Sequence, residues 1–135
     1  VINRGESSNS YFSKSKKHMK HLNELAAEKN AMTEKGQFVD AVEKFFAADA
    51  KTVDFSGAKV SGKEAILKGQ KKTVESIAKV NGITLHSSGV GDDVSYAEFT
   101  FDFETKDGTH IIWHEVILSK WKNGHIVHEE YFKGL

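Results

Sequence analysis

Cysteine and proline are both missing from this chain. Without cysteine there is no disulfide, no thiolate nucleophile and no cysteine-ligated zinc site. The absence is compatible with a reducing compartment without specifying one. Ordinary usage of about 5% would give about seven prolines, so no X–Pro isomerisation slows folding. Arginine is down to Arg4. An excess of one charge is lacking too, since 19 Lys+Arg balance 19 Asp+Glu. That argues against a basic nucleic-acid binder and against an acidic polyelectrolyte. No run reaches the ~20 apolar residues of a membrane span, and no signal-peptide core is visible. The expected compartment is cytoplasmic, with a processed leader left open.

The chain holds 135 residues, 39% hydrophobic and 28% charged, an ordinary globular mix. One domain is expected at roughly 100–200 residues per domain, and a chain this long buries about two-thirds of its surface unaided. The neutrality hides an asymmetry. Residues 1–21 carry Arg4, Lys14, Lys16, Lys17 and Lys20 against Glu6, among five serines. Residues 1–17 read as a solvated basic extension and 18–135 as the domain. A phosphate-binding or membrane-surface tail is the alternative for the extension.

Apolar periodicity divides the domain. Met19, Leu22, Leu25, Ala26 and Met32 form a helical stripe over 19–32, broken at Gly36. Phe38, Ala41, Val42, Phe45 and Ala48 form a second stripe. Lys51 to Phe55 reads as a short strand closed by Ser56-Gly57. Ser61-Gly-Lys-Glu64 has the form of a capping box, opening a third helix that ends near Asn81-Gly82. Beyond Gly82 the period becomes two, giving strands at 83–91, 94–105, 109–122 and 125–132. They are linked by Gly91-Asp-Asp93, Lys106-Asp-Gly108 and Lys122-Asn-Gly124, of which Asp-Gly and Asn-Gly are strong hairpin signals. Helices first and an antiparallel meander after make the fold class α+β.

Register decides which side chains face inward. A type I turn with Gly108 left-handed pairs Thr105 with Thr109. One face then holds Ala97, Phe99, Phe101 and Phe103 beside Ile111, Trp113, Glu115, Ile117, Ser119 and Trp121. This is the more apolar face and should line the core; a two-residue turn would mix the faces. Glu115 is the odd member, a carboxylate among Phe99, Phe101, Trp113 and Trp121. Burial without a partner raises a carboxyl pKa. If Asn123-Gly124 is a two-residue turn, Ile126, His128, Glu130 and Phe132 join the inner face. Glu115, His128 and Glu130 would then share one wall, a few polar groups on an apolar surface, as in small-molecule sites.

This order of elements resembles the nuclear transport factor 2-like superfamily, and within it the SnoaL-like proteins. Phe45-Phe-Ala-Ala-Asp-Ala50 followed by Thr52-Val-Asp-Phe55 is similar to that family's helix end and first strand. Ser61-Gly-Lys-Glu-Ala-Ile66 is similar to its helix start, and Glu115 to Phe132 to its last hairpin. The likeness spans 19–132. It implies a cone-shaped fold in which three N-terminal helices pack in a strongly curved, mostly antiparallel sheet around a pocket. Relatives include ketosteroid isomerase, scytalone dehydratase, limonene epoxide hydrolase, polyketide cyclases and non-catalytic members, so fold alone does not give function. The resemblance matches Asp54 to the isomerase's general base. It supplies no match for that enzyme's helix Tyr, and the hydrolase's Asp-Arg-Asp set has no counterpart with Arg4 the only arginine.

The resulting expectation is a small apolar organic molecule bound in the cone, with a possible isomerase, cyclase or dehydratase chemistry that uses no cofactor. Asp54 would abstract a proton, a neutral Glu115 would donate to the developing oxyanion, and His128 is an alternative acid. Phe55, Phe99, Phe101, Trp113, Ile117, Trp121, Glu130 and Phe132 would line the ligand site. Each has a plainer reading: Asp54 as a turn cap, Glu115 satisfied by a buried donor, His128 and Glu130 on an exterior face, both tryptophans as core. No metal is expected. His18 and His21 lack a third ligand, and His110 and His114 lie roughly 13 Å apart at about 3.3 Å per residue. Ile112, His114, Val116 and Leu118 mark the outer sheet face as a homodimer interface, with no nucleic acid and no membrane as partners. The rival reading is a non-catalytic ligand carrier or dimeric interaction domain.

Overall fold

In the computed structural model, residues 21–134 are described; the basic extension, Met19 and His18 lie outside them. Helix α1 covers residues 21–34. It ends in a Schellman motif: Gln37 N–H donates to Met32 O at 2.9 Å and Gly36 N–H to Thr33 O at 3.0 Å. Gly36 takes the φ of +74° that this ending requires. Helix α2 (Phe38–Phe45) buries Ala41, Val42 and Phe45 on one face, the i+3, i+4 and i+7 positions counted from Phe38, as in an amphipathic helix. Helix α3 is Lys63–Ser76.

The strands are β1 (Phe46–Val53), β2 (Lys59–Ser61), β3 (Ile77–Gly91), β4 (Val94–Thr105), β5 (His110–Lys122) and β6 (His125–Lys133). They form one curved, unclosed sheet in the order β2-β1-β6-β5-β4-β3. The pairing of β1 with β6 is parallel and the rest are antiparallel. Three register shifts bend β3 along β4, and such bulges increase local twist and bending. This is the α+β architecture of three helices and a curved sheet that the sequence implies.

The β4–β5 hairpin has the expected register. Phe103 faces Ile111, Phe101 faces Trp113, Phe99 faces Glu115 and Ala97 faces Ile117. Gly108 has φ +88°, and Thr105 N–H donates to Thr109 O. Two cores flank the site. One joins Leu22, Ala41, Val42, Phe45, Phe46, Ala50, Ile66, Trp121 and Ile126. The other joins Ala97, Phe99, Phe101 and Ile117, with Phe38, Phe103, Trp113 and Tyr131 packed on it.

Four local expectations are corrected. Helix α2 stops at Phe45, because Phe46 is already extended (φ −82°, ψ 137°) and begins β1. Phe45 and Phe46 are both buried, and an extended Phe46 sends the second ring into the core from the adjoining strand. Helix α3 ends at Ser76 rather than near Gly82, because Ile77 onward pairs with the far end of β4, Ile77 opposite Thr105. The long β4 strand needs that partner for its backbone groups. No capping box forms: Ser61 belongs to β2, opposite Lys51. Gly62 is the N-cap, with φ +95° and no side-chain cap. The chain turns from strand to helix at one residue, and glycine tolerates that backbone.

The last correction moves the site. Asn123 (φ +52°) and Gly124 (φ +77°) make the expected two-residue turn, and Trp121 faces Ile126. The register then shifts, so that Lys120 faces His128 and Val127 is an extra residue. From there Ser119 faces Glu129, Ile117 faces Tyr131 and Glu115 faces Lys133. Side chains alternate along a strand, so one inserted residue reverses the rest of β6. His128, Glu130 and Phe132 lie on the outer face, and Glu129 and Tyr131 face inward.

Candidate functional site

Between the helices and the inner sheet face lies a cavity of about 410 Å³, within the roughly 300–1,000 Å³ of small-molecule sites. Helix α1 contributes Lys29 and Thr33, α2 contributes Phe38, Ala41 and Val42, and α3 contributes Gln70 and Thr73. The sheet supplies Phe101, Phe103, Ile111, Trp113, Glu115, Ile117, Glu129 and Tyr131. The parallel β1–β6 pairing sets Val53 opposite Glu130, which carries the following turn, with Asp54 and Phe55, to the cavity rim.

Glu115 is partly buried in this wall. The Trp113 Nε1–H donates to its Oε2 at 2.9 Å. Burial pushes its carboxyl above the ordinary carboxylate range; the Trp113 bond opposes this, the negative Glu129 adds to it, and Lys29 subtracts. Beside it is a buried polar network that the sequence did not reveal. Glu129 accepts from the Ser119 hydroxyl at 2.7 Å and the Tyr131 hydroxyl at 2.7 Å, and pairs with Lys29 Nζ at 3.3 Å. The side chains of Lys29 and Glu129 are 8% and 4% exposed, so the charges are removed from water and hold each other there. The Tyr131 phenol is pushed well above its usual range by burial, then by the Glu129 charge. It therefore remains a proton donor.

Asp54 is exposed and its Oδ1 is occupied. It accepts from Ser56 N–H at 2.8 Å, Ser56 Oγ–H at 2.6 Å and Ala58 N–H at 3.0 Å. The Ser56 hydroxyl leads the lowering of its pKa, against an opposing desolvation. This is an Asx-type turn cap. Phe55 lies over Trp113 with ring centroids 4.9 Å apart. The Lys133 ammonium sits 4.7 Å from the Trp113 centroid and 5.5 Å from that of Phe55.

Of the residues expected at the site, Asp54, Glu115, Phe55, Phe101, Trp113 and Ile117 line the cavity. Phe99 is fully buried behind it, stacked on Phe101 at 5.4 Å. Trp121 belongs to the other core: it packs edge-on against Phe45 and donates Nε1–H to Ser95 Oγ at 2.9 Å. His128 and Glu130 bond each other at 2.7 Å on the outer face, and Phe132 is 49% exposed there. The Val127 bulge is the physical reason. A sequence signal did exist for Lys29. It falls in the apolar stripe of α1, three residues before Met32 and three after Ala26. Among the described residues no group of three or more His, Asp or Glu could hold a metal, and no helix is long and apolar enough to cross a membrane.

Residues 21–133 match the family model of the SnoaL-like domain. The chain belongs to the SnoaL-like domain family. No curated protein sequence matches it. Among solved structures, a candidate SnoaL-like polyketide cyclase of Mesorhizobium loti is similar at TM-score 0.72 and 25% identity, over 82% of this chain and 97% of that one. A Catenulispora acidiphila protein with a ketosteroid isomerase-like fold, solved in complex with trimethylamine, has TM-score 0.64 and 23% identity over 78% and 82%. An NTF2-like protein of unknown function from Cytophaga hutchinsonii has TM-score 0.68 and 13% identity over 87% and 99%. The last two share the fold alone.

Proposed function

We propose that this SnoaL-like domain binds a small, largely apolar organic molecule in the cavity and that Glu115 moves a proton on it without a cofactor. The reaction class is isomerase-, cyclase- or dehydratase-like. The observation that supports it is Glu115: a desolvated carboxyl with a raised pKa, oriented by Trp113, in a largely apolar wall beside the Lys29–Glu129 pair. Such a carboxyl holds its proton to higher pH than an ordinary Glu, and its ionised form is a stronger base. The same group can remove a proton from one carbon and return it to another, so electrons balance with no redox partner. Asp54, engaged by three donors and more acidic than usual, is assigned the turn and a negative rim. His128 lies on the outer face and is given no part.

A second reading, a ligand carrier without turnover, is favoured by a specific observation. Asp54 and Glu129 are occupied by their own donors, which leaves Glu115 to act unassisted. For partners, we propose a homodimer through the outer sheet face. Tyr96 and Ile112 are 50% and 66% exposed there, among the pairs Glu98–His114, Asp102–His110 and Glu130–His128.

The deciding experiment is a carbon-detected NMR titration of the Glu115 carboxyl, assigned with Glu115→Gln, followed by a turnover screen on planar ketones and lactones. A midpoint above the free value of about 4.3, with turnover lost in Glu115→Gln, is expected. A midpoint at the free value removes the acid–base role. A raised midpoint with no turnover across the screen selects the carrier.

A further inference from the structure

The cavity is unbalanced in charge and rich in aromatic rings. Asp54, Glu115 and Glu129 line it against Lys29, which is bonded to Glu129, and the Lys133 ammonium at the rim. Glu115 has no cationic partner within salt-bridge distance among the described residues; its one hydrogen bond comes from the neutral Trp113 indole. Around it stand Phe38, Phe55, Phe101, Phe103, Trp113 and Tyr131. Phe38 meets Phe101 and Phe103 edge-on at 5.9 and 6.2 Å, so ring surfaces join the aliphatic Val42, Ile111 and Ile117 in the wall. Ring faces carry partial negative charge and attract cations within about 6 Å of the centroid.

One part of this wall already holds a cation. The Lys133 ammonium lies over both Trp113 and Phe55 at the rim. Phe55 is 55% exposed, so this aromatic pair is open to solvent and to an incoming ligand.

We propose that the cavity selects ligands whose apolar body carries a positively charged amine, with the ammonium held between the Glu115 carboxylate and the aromatic wall around Trp113. The inference rests on the proposed small-molecule cavity and adds the charge of its ligand. An ammonium there supplies the counter-charge that Glu115 lacks, and its alkyl groups meet ring faces, where a carboxylate-bearing ligand would meet net negative charge. Binding converts Glu115 to its ionised form, so it releases a proton wherever the free protein holds Glu115 protonated. The groups facing Glu115 are Glu129, Tyr131 and Lys133 from β6, Lys29 from α1, Trp113 from its own strand, and Asp54 from the rim. Of these the two lysines oppose a bound cation, Lys29 already neutralised by Glu129 and Lys133 displaceable.

The test uses benzyltrimethylammonium and its uncharged carbon isostere, 2,2-dimethylpropylbenzene, against the whole chain. Binding is followed by the Trp113 indole N–H resonance and by calorimetry in two buffers of different ionisation enthalpy. The cation is expected to bind at least about tenfold tighter, with proton release at mildly acidic pH. Glu115→Gln should abolish both the preference and the release while leaving the isostere's affinity in place. Lys133→Met should strengthen cation binding. If the isostere shifts Trp113 and binds as well as the cation, the charge selection is overturned and the cavity reading stands. If neither moves Trp113, both are overturned. A cation preference that survives in Glu115→Gln overturns Glu115 as the anchor.

Discussion

Glu115 and Lys29 are two charged side chains in apolar rows, and their fates differ because only one has a counter-ion. The raised Glu115 carboxyl makes the folded state bind more protons than the unfolded state between the free and folded pKa values. Stability therefore falls as pH rises through that window and is unaffected by this group below about pH 4.3. Glu115→Gln, which cannot ionise, should match the parent in melting temperature near pH 4 and melt higher at pH 7. Parallel pH curves from calorimetry would contradict the desolvation of Glu115. Lys29→Ala leaves Glu129 buried with hydroxyl donors only, and removing one partner of a buried ion pair costs about 3–5 kcal/mol. Urea unfolding should show that loss, and Lys29→Met combined with Glu129→Gln should recover most of it. Glu115 was legible in the sequence because strict alternation over β4 and β5 placed one acid among Phe99, Phe101 and Trp113. Glu129 was not, since its inward position depends on an irregularity that alternation cannot show.

At the level of elements, β4 was readable to the residue, beginning and ending where the Gly91 and Thr105 turns put it, and β5 and β6 to within one residue at an end. The helix ends were not. Phe46 and Ile77 fit helical stripes as well as they fit strands, and pairing with β6 and β4 decided the matter. Tertiary pairing overrides local pattern in this way wherever a strand elsewhere needs a neighbour. The start of α3 offers a clean contrast between two residues. A capping box would make Ser61→Ala cost ~1 kcal/mol. With Ser61 exposed in β2 and Gly62 at φ +95°, Ser61→Ala should stay within about 0.5 kcal/mol. Gly62→Ala should instead lose about 1–3 kcal/mol for the strained backbone. Equilibrium unfolding of the two variants distinguishes the arrangements.

The whole molecule presents two faces of the same sheet, the outer one proposed for self-association. The inner one encloses the cavity; the outer one carries Tyr96, Ile112 and Phe132 in the open. Ile112→Asp should weaken self-association at least about tenfold in sedimentation analysis without changing Glu115, whose side chain points the other way. A parent chain that sediments as a monomer at high concentration would remove the dimer. The two surfaces share strands, and in β6 a single residue, Val127, decides which side chains serve which. The strand behaves like a text with a reading frame. Were Val127 to pair with Lys120 in an unbroken ladder, His128, Glu130 and Phe132 would be read into the cavity, while Glu129 and Tyr131 would be read out to the outer face. The present frame joins Glu129 to Lys29 inside and His128 to Glu130 outside. Loss of the irregularity with Val127 kept would exchange a lysine-paired floor for a histidine-bearing one, whereas removing Val127 itself keeps the present frame, because Lys120 already faces His128.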